Sequence, residues 1–208
     1  MANLKEIRTR ITSVNSTMQI TSAMKMVSAA KLKRAQDSIT QMRPYAEKLQ
    51  QMMSNLTETM LEMENPYATE RPINKVLIIA INSNRGLCGG FNANIIKQVA
   101  RMSQNELAGK EVTIYPIGKK AADSFKRDDR LYSGDVLMNH EKACTIFDNM
   151  NYQMASDIFQ PVMDEYAIGS YDEVIVIYNQ FKNAATQIVT TESLLPVKAD
   201  ESAVSSSE

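Results

Sequence analysis

Apolar residues recur at alternating spacings of three and four along the first sixty residues of the chain. Fourteen of the seventeen positions in this register are apolar, and those that define it most clearly are Leu4, Ile7, Ile11, Val14, Met18, Leu32 and Ile39. An unbroken heptad register over this length predicts one long helix with a narrow coiled-coil seam. At 1.5 Å per residue such a helix would be about 85 Å long. The seam must be covered by another helix, because each large apolar side chain left in water forgoes about 1.5–3 kcal/mol.

The predicted helix runs from about Asn3 to about Glu64. Asn3 is a candidate N-cap, and Glu6 three residues later would complete a capping box. Pro44 lies inside the pattern, where a proline costs about 3 kcal/mol and tends to kink a helix. Because the heptad register continues past this proline, we expect a bend or a weak point and not a break. The sequence Asn-Pro-Tyr at 65–67 is expected to end the helix.

The seam is interrupted once, at Thr21, Lys25 and Ser28. For two turns the apolar residues stand one position earlier, so the apolar surface rotates away from the seam. This rotated surface consists of Ile20, Ala23, Met24, Lys25, Met26, Val27 and Lys31. Unbranched methionine side chains suit a surface that repacks against a partner. The interruption is either a second contact face, which is the functional interpretation, or ordinary variation in a long seam.

Charge is distributed unevenly, although the whole chain has a net charge of -1. Residues 1–43 hold eight basic and two acidic side chains, a net charge of +6, so the remaining residues carry -7. A basic helix joined to an acidic body favours an acidic partner for the helix. A charged face that is simply solvated is an equally good interpretation of the charge alone.

From residue 74 onwards the pattern changes to strands that alternate with helices. Residues 75–81 form a short continuous apolar run, which is typical of a strand buried on both faces. The pattern predicts further strands at 111–117, 131–137, 173–181 and 186–194, of which the last two form a hairpin. It predicts helices at 91–105, 118–126 and 144–167.

Together these elements predict an α/β fold class: a long N-terminal coiled-coil helix plus a Rossmann-like α/β domain with a mixed, mostly parallel five-stranded sheet. We expect the long helix to occupy residues 1–65 and the α/β domain to occupy 73–196. Residues 197–208 are polar and rich in serine, which indicates a tail or linker.

One glycine-rich turn, between the first predicted strand and the next helix, is the main candidate for chemistry. Its characteristic residues are Arg85, Gly86, Cys88, Gly89 and Gly90. The turn lacks the Gly-x-Gly-x-x-Gly spacing of dinucleotide sites, and Phe91 follows the last glycine where a P-loop has lysine. Glycines also permit tight turns and close approach of a helix to a sheet. We therefore interpret this turn as a structural loop that binds no nucleotide or other cofactor.

No catalytic or metal site stands out in the sequence. Cys88, at a predicted helix N-terminus, could be a nucleophile, but His140 is the only histidine available as its base. The cysteines lack the paired spacing of zinc sites, and the carboxylates are scattered. We therefore expect no catalytic residue, cofactor or metal in this chain. Cys88 and Cys144 are expected to be free thiols in a reducing compartment.

The chain contains no run of 18 or more apolar residues and no apolar signal-peptide core at its start. We therefore expect neither a transmembrane helix nor secretion, and we predict a location on the cytosolic side.

Four motifs, in order, resemble one known family. Residues 2–11, ANLKEIRTRI, and residues 20–31, ITSAMKMVSAAK, are similar to the first helix of the gamma subunit of F-type rotary ATP synthases. Residues 84–92, NRGLCGGFN, resemble that family's loop after the first strand, with Asn84 where Asp is frequent. The segments YDEV, YNQF and ESLLP, between residues 171 and 196, resemble its late hairpin.

This resemblance implies a noncatalytic rotor subunit that transmits torque between the membrane ion-driven ring and the catalytic alpha/beta ring. It implies the alpha, beta and epsilon subunits and the membrane rotor c-ring as partners, no nucleic acid, and only peripheral contact with a membrane. The rotated surface around Met24 and Lys25 would face the acidic lever of the catalytic beta subunits, and the α/β domain would form the foot of the stalk. The expected location is the cytoplasmic face of the bacterial inner membrane, with an organellar equivalent less favoured.

The second long helix of that family, which follows the α/β domain, has no counterpart before Glu208. We interpret this as truncation or omission of further residues, and we expect the seam to be partly frayed, exposed or self-associated. Sequence alone leaves two other functions open. One is a coiled-coil adaptor that binds an acidic partner or nucleic acid through Lys31, Lys33 and Arg34, although no aromatic residues are interleaved there. The other is a small nucleotide-binding α/β enzyme.

Overall fold

The computed structural model describes residues 3–60, 65–69, 71–131, 140–147, 150–183 and 185–197. By its internal contacts the chain divides into two compact units, Met1–Ser54 and Asn55–Glu208. The first unit consists of most of one long helix. The second contains the α/β domain.

The first helix, α1, spans Leu4–Met60, and Asn3 caps it. The Asn3 side-chain oxygen accepts the N–H of Lys5 at 3.3 Å, and its carbonyl oxygen accepts the N–H of Ile7 at 3.2 Å. The first bond satisfies an N–H group that the first turn of a helix leaves without an intrahelical partner, and the second is the first regular bond of the helix. The predicted N-cap is therefore confirmed.

The helix continues through Pro44, in agreement with the register that persists past it. Asn65 is no longer helical, and its side chain accepts the N–H of Tyr67 at 3.0 Å in a local turn. The predicted helix end near Glu64 lies outside the described residues.

Four strands form the sheet, with β1 at Lys75–Ile81, β2 at Glu111–Ile117, β3 at Glu173–Phe181 and β4 at Gln187–Leu195. Their order across the sheet is β2-β1-β3-β4. Strand β1 pairs in parallel with β2 and β3, whereas β3 and β4 form an antiparallel hairpin. The prediction of a mixed, mostly parallel sheet with a late hairpin is confirmed.

The prediction of five strands is wrong for the described residues. The strand predicted at 131–137 is represented by one isolated parallel bridge between Leu131 and Ile114. A tight turn precedes it, in which the N–H of Leu131 donates to the carbonyl oxygen of Asp128 at 3.0 Å. This turn brings a single described residue to the edge of the sheet. Residues 132–139 lie outside the described part of the chain.

In the described residues, four shorter helices follow α1. They are α2 at Phe91–Gln104, α3 at Lys119–Phe125, α4 at His140–Thr145 and α5 at Tyr152–Ala167. The single helix predicted at 144–167 is wrong, because the chain leaves the helix after Thr145 and starts a new one at Tyr152. Asn151 begins the new helix in an extended conformation, and its side chain accepts the N–H of Met154 at 2.9 Å.

The core of the domain lies on both faces of the sheet. Strand β1 is buried from Val76 to Ala80, as its continuous apolar run predicted. One core cluster packs the sheet against α5 and includes Leu77, Ile79, Tyr115, Ile158, Val162 and Tyr166. The other packs the sheet against α2 and includes Val76, Ile78, Ile95, Val99, Ile114 and Ile177. Each fully buried aliphatic side chain of this kind stabilises the fold by about 1.5–3 kcal/mol.

The chain leaves the domain beside the point where it enters. The N–H of Val197 donates to the carbonyl oxygen of Tyr67 at 2.8 Å. Nearby, the Arg71 guanidinium lies 5.0 Å from the ring centre of Tyr166 and donates to that residue's carbonyl oxygen at 3.1 Å. The Tyr166 hydroxyl in turn donates to the carbonyl oxygen of Thr69 at 3.3 Å. These contacts fix the entering and leaving segments to one another and to α5.

The Asp172 carboxylate ties the start of β1 to the start of β3. One of its oxygens accepts the backbone N–H groups of Lys75 and Asn74, each at 2.8 Å. These hydrogen bonds, from Lys75 first and Asn74 second, lower the pKa of the Asp172 carboxyl group. The stabilisation is therefore fully present above the pKa of the unfolded carboxyl group and is lost as the pH falls below it.

We expect Asp172→Asn to lower the free energy of unfolding by about 1 kcal/mol at pH 7, because a neutral amide accepts hydrogen bonds more weakly than a carboxylate. The difference from the wild type should shrink as the pH falls below about 4, where the unfolded carboxyl group is protonated. Urea denaturation at pH 7 and pH 3.5 measures both effects. Asp164→Asn is the control, since Asp164 accepts a hydrogen bond from the Gln160 side chain on the same helix. An equal loss for both variants at pH 7 would contradict the assignment.

Candidate functional site

The seam of α1 is exposed in this chain. The exposed fraction of its seven defining side chains ranges from 67% at Leu4 to 39% at Ile39. The seam was expected to be partly frayed, exposed or self-associated, and its role as a coiled-coil seam stays a prediction. Full burial of each of these large apolar side chains would lower the free energy by about 1.5–3 kcal/mol. The seam is therefore suited to pack against a second helix.

The rotated surface of α1 is also exposed. Its large apolar side chains, Ile20, Met24, Met26 and Val27, are each between 58% and 71% exposed. Ala23, Lys25 and Lys31 are exposed on the same part of the helix. The structure thus brings all seven residues together within three turns, and their contact with a catalytic ring stays a prediction.

The basic side chains of α1 are largely free to meet a partner. Lys33 forms an ion pair with Asp37 at 3.3 Å, one turn away. Both side chains are more than half exposed, so the pair contributes only about 0.3–0.5 kcal/mol. Within the part of the chain that the structure describes, no ion pair involves Lys25 or Lys31.

Six hydroxyl side chains in the described part of α1 bond to their own helix, which the hydrophobic pattern did not predict. Each donates to the carbonyl oxygen four residues earlier, at 2.8–3.1 Å, and the six are Thr9, Thr12, Thr17, Thr21, Ser38 and Thr40. Serine and threonine inside a helix commonly make this bond, so their frequency in the sequence was the available signal.

The glycine-rich loop is organised around the side chain of Asn92 at the start of α2. Its amide nitrogen donates to the carbonyl oxygen of Arg85 at 3.0 Å and to the sulfur of Cys88 at 3.1 Å. Its amide oxygen accepts the Ser83 hydroxyl at 2.9 Å and the Ser83 N–H at 3.2 Å. The loop closes on itself, with a polar side chain at its centre.

A second set of contacts joins this loop to the end of β2. Asn84, where the resembling family often has Asp, accepts the N–H of Lys119 at 2.9 Å. The N–H of Asn82 donates to the carbonyl oxygen of Ile117 at 2.8 Å. Gly118 has a φ of +98°, and a Cβ atom there would overlap the carbonyl oxygen of Asn82. The turn after β2 therefore requires glycine for space and for backbone conformation.

The loop presents its remaining residues to solvent. Arg85, Gly86, Cys88, Gly89 and Gly90 are all exposed. Leu87 is fully exposed, with a φ of +61° that is uncommon for a residue other than glycine. The loop hydrogen bonds described above join groups of the protein to one another, which fits the structural interpretation.

Neither cysteine is positioned for catalysis by the contacts that the structure shows. The Cys88 sulfur contacts the Asn92 amide and, at 3.8 Å, the Arg85 carbonyl oxygen, neither of which is a base. Burial, followed by the nearby Asp123 carboxylate, raises the pKa of the Cys144 thiol, which keeps it protonated. Both cysteines are free thiols.

The described residues contain no candidate metal cluster and no candidate membrane span. No cluster of three or more His, Cys, Asp and Glu side chains is arranged there to hold a metal ion. None of the described helices combines the length and the apolar character needed to cross a membrane.

Comparison with known proteins assigns a family to the chain. Residues 3–208 match the protein-family model described as ATP synthase. The ATP synthase gamma chain of Flavobacterium johnsoniae is 51% identical over 208 residues, which are 100% of this chain and 70% of the relative. The ATP synthase gamma chain of Flavobacterium psychrophilum is 52% identical over 198 residues, which cover 95% of this chain and 66% of the relative. The chain thus spans about two thirds of the length of these relatives.

A solved structure of an ATP synthase central stalk also contains a chain similar to this one. The central stalk and c-ring of the Tetrahymena thermophila mitochondrial ATP synthase include a chain that is similar with a TM-score of 0.62 and 29% sequence identity. The similarity covers 85% of this chain and 72% of that chain.

Proposed function

Because the chain belongs to the family of ATP synthase gamma chains, the noncatalytic rotor subunits of that enzyme, we propose that α1 forms one strand of its rotating shaft. The shaft transmits torque between the membrane ion-driven ring and the catalytic alpha/beta ring. The observation that carries this assignment is the heptad seam of α1, a helix of 57 residues, whose described seam side chains are exposed. Neither a coiled-coil adaptor nor a nucleotide-binding enzyme is supported by the family match.

The partner of the seam in this proposal is a second helix that follows the α/β domain in the longer gamma chains. Two observations support it. The relatives extend beyond the length matched here. In addition, Val197 leaves the domain hydrogen-bonded to Tyr67, which lies seven residues after the end of α1. A following helix would therefore begin close to the segment that leads out of α1.

The rotated surface is proposed to contact the catalytic ring. It combines exposed apolar side chains, above all Met24 and Met26, with the basic side chains of Lys25 and Lys31. An acidic segment on the catalytic beta subunits would complement this charge, and the methionines would accommodate its changing position during rotation.

The α/β domain is proposed to form the foot of the stalk. There it would contact the epsilon subunit and the membrane rotor c-ring, so that the chain is peripheral to the membrane. The proposed location is the cytoplasmic face of the bacterial inner membrane. Bacterial relatives at 49–52% identity support this location over an organellar one.

Co-expression tests the proposal. The chain, joined to the C-terminal segment of a close gamma-chain relative, is expressed with the alpha and beta subunits of the same relative. We expect a complex that hydrolyses ATP and contains the extended chain after affinity purification and gel filtration. The matched control is the same extended chain with Leu4, Ile7 and Ile11 replaced by Asp, which should be excluded because charged side chains cannot pack in a coiled-coil seam. Absence of the unmodified extended chain from the complex would contradict the proposed function.

A further inference from the structure

The segment that follows α1 is attached to the α/β domain at alternate residues. The carbonyl oxygen of Tyr67 accepts the N–H of Val197 at 2.8 Å, and the Tyr67 side chain packs against the core. The carbonyl oxygen of Thr69 accepts the Tyr166 hydroxyl at 3.3 Å. The Arg71 guanidinium lies 5.0 Å from the ring centre of Tyr166 and donates to its carbonyl oxygen at 3.1 Å. We call Tyr67, Thr69 and Arg71 the anchor residues.

Two of the anchor residues are attached to the same side chain, that of Tyr166. This tyrosine lies in the last turn of α5, is fully buried, and belongs to the core cluster that contains Leu77 and Ile79 of β1. A side chain in a close-packed core has little freedom to move. The Arg71 charge also lies at the C-terminal end of α5, where the helix dipole favours a cation. The anchor residues are therefore attached to a rigid part of the domain.

A linker without such attachments would transmit a twist poorly. Each residue of a polypeptide has two soft backbone dihedral angles, so an unsupported segment rotates about its own bonds under load. Contacts at alternate residues restrict this rotation, because each contact fixes the direction of the backbone relative to the domain. The arrangement around Tyr166 is thus suited to carry torque through the linker as well as to stabilise the fold.

We propose that the anchor residues form a torsionally stiff joint between the α/β domain and the segment that leads to α1, and that the Arg71 side chain is its main element. This inference rests on the proposed function of the chain as a rotor subunit. Tyr67 and Thr69 accept their hydrogen bonds through backbone carbonyl groups, whereas Arg71 acts through its side chain. A planar guanidinium can stack on a ring and donate a hydrogen bond at the same time. Without the joint, torque on the domain would twist the linker before it turned α1.

The angular fluctuation of the domain in an assembled complex tests this joint. The extended chain is assembled with the alpha and beta subunits, the catalytic ring is fixed to a glass surface, and ATP is withheld so that rotation stops. A bead is bound to the α/β domain through cysteines introduced at two exposed positions, Ala108→Cys and Lys126→Cys, with both natural cysteines replaced by serine. The variance of the bead angle then measures how freely the domain twists relative to the ring.

We expect Arg71→Ala to increase the variance of the bead angle at least about twofold, because the linker loses a hydrogen bond and a cation–π contact. ATP hydrolysis by the same complex should stay within about twofold of the wild type, as it usually does after a substitution of a partly exposed residue away from the catalytic sites. Arg71→Lys keeps a positive charge near the ring, so its increase in variance should be smaller. An unchanged variance in Arg71→Ala, or an equal increase in both variants, would overturn the proposal.

Arg130→Ala is the matched control, because it removes another partly exposed arginine of the same domain. Arg130 forms an ion pair with Asp128 at 2.7 Å, and this pair lies within a single turn. Urea denaturation should show small losses of stability for both alanine variants, but only Arg71→Ala should change the variance of the bead angle. A similar increase in Arg130→Ala would show that the whole domain had softened and would overturn the assignment to the joint.

The unsubstituted complex separates this proposal from the proposed function. If the extended chain fails to assemble with the alpha and beta subunits, the proposed function fails and the joint fails with it. If the complex assembles and hydrolyses ATP, but the variance is the same before and after Arg71→Ala, only the joint is wrong.

Discussion

Replacing Gly118 by alanine should lower the free energy of unfolding of the α/β domain by about 3–5 kcal/mol, because backbone strain and steric overlap add at this position. Its φ of +98° is rarely adopted by residues with a side chain. The added Cβ would overlap the carbonyl oxygen of Asn82 and lie 3.2 Å from the Phe147 ring. The Asn82 carbonyl group cannot move freely, since Asn82 is buried and is bonded to Ile117 across the turn.

Gly109→Ala is the matched control for this substitution. Gly109 also has a positive φ, of +82°, but nothing lies within 4 Å of the position that its Cβ would take. It should therefore show only the conformational strain, about 1 kcal/mol. Urea denaturation followed by near-ultraviolet circular dichroism of the buried tyrosines measures both variants, since the chain has no tryptophan. Equal losses in the two variants would show that the contact with Asn82 is not what requires glycine.

Replacing Leu32 and Ile39 together by alanine should destabilise a longer version of the chain but not the 208-residue chain. In a version joined to the second helix of a gamma chain, we expect the free energy of unfolding to fall by about 4 kcal/mol or more, because each truncation of a buried aliphatic side chain costs about 2–5 kcal/mol. In the 208-residue chain, where both side chains are exposed, helix content should stay the same or rise slightly, since alanine is the best helix former.

Ser38→Ala with Thr40→Ala is the control pair for the seam. These residues flank Ile39 on the same turn, are exposed, and bond only to their own helix in the contacts described. Their replacement should change the free energy of unfolding by less than about 1 kcal/mol in both versions. Thermal and urea unfolding followed at 222 nm distinguishes the cases. A seam pair that loses no more than the control pair in the longer version would contradict the packing of a second helix along α1.

The elements with strong periodicity were predictable from the sequence. The heptad spacing of α1 indicates a helix. The seven-residue apolar run of β1 has the length of a strand and is too short for an ordinary helix. The late hairpin followed from two β-branched runs separated by a short turn. These three features established the fold class.

The failed predictions occurred where local contacts decide the structure. The break between α4 and α5 depends on the Asn151 side chain, which caps the second helix, whereas Ile146, Met150 and Met154 keep a helical spacing across the break. Of the fifth predicted strand, only Leu131 lies in the described part of the chain, and it forms a single bridge to Ile114. Such outcomes are set by individual hydrogen bonds and not by periodicity.

The candidate surfaces of α1 were partly predictable. The seam could be identified because burial leaves a periodic signal, and the rotated surface because it interrupts that signal at Thr21, Lys25 and Ser28. The role of Asn92 could not be predicted, because it comes from hydrogen bonds across the loop.

The bond between Val197 and Tyr67 makes the α/β domain a removable insert. Its two ends meet at a hydrogen-bond distance of 2.8 Å, so a turn of a few residues can replace everything between them without redirecting the flanking segments. A domain whose two ends lie side by side can be enlarged, exchanged or deleted with little effect on the segments that lead into and out of it. In the proposed rotor, a different domain with the same spacing between its ends can therefore be grafted onto α1.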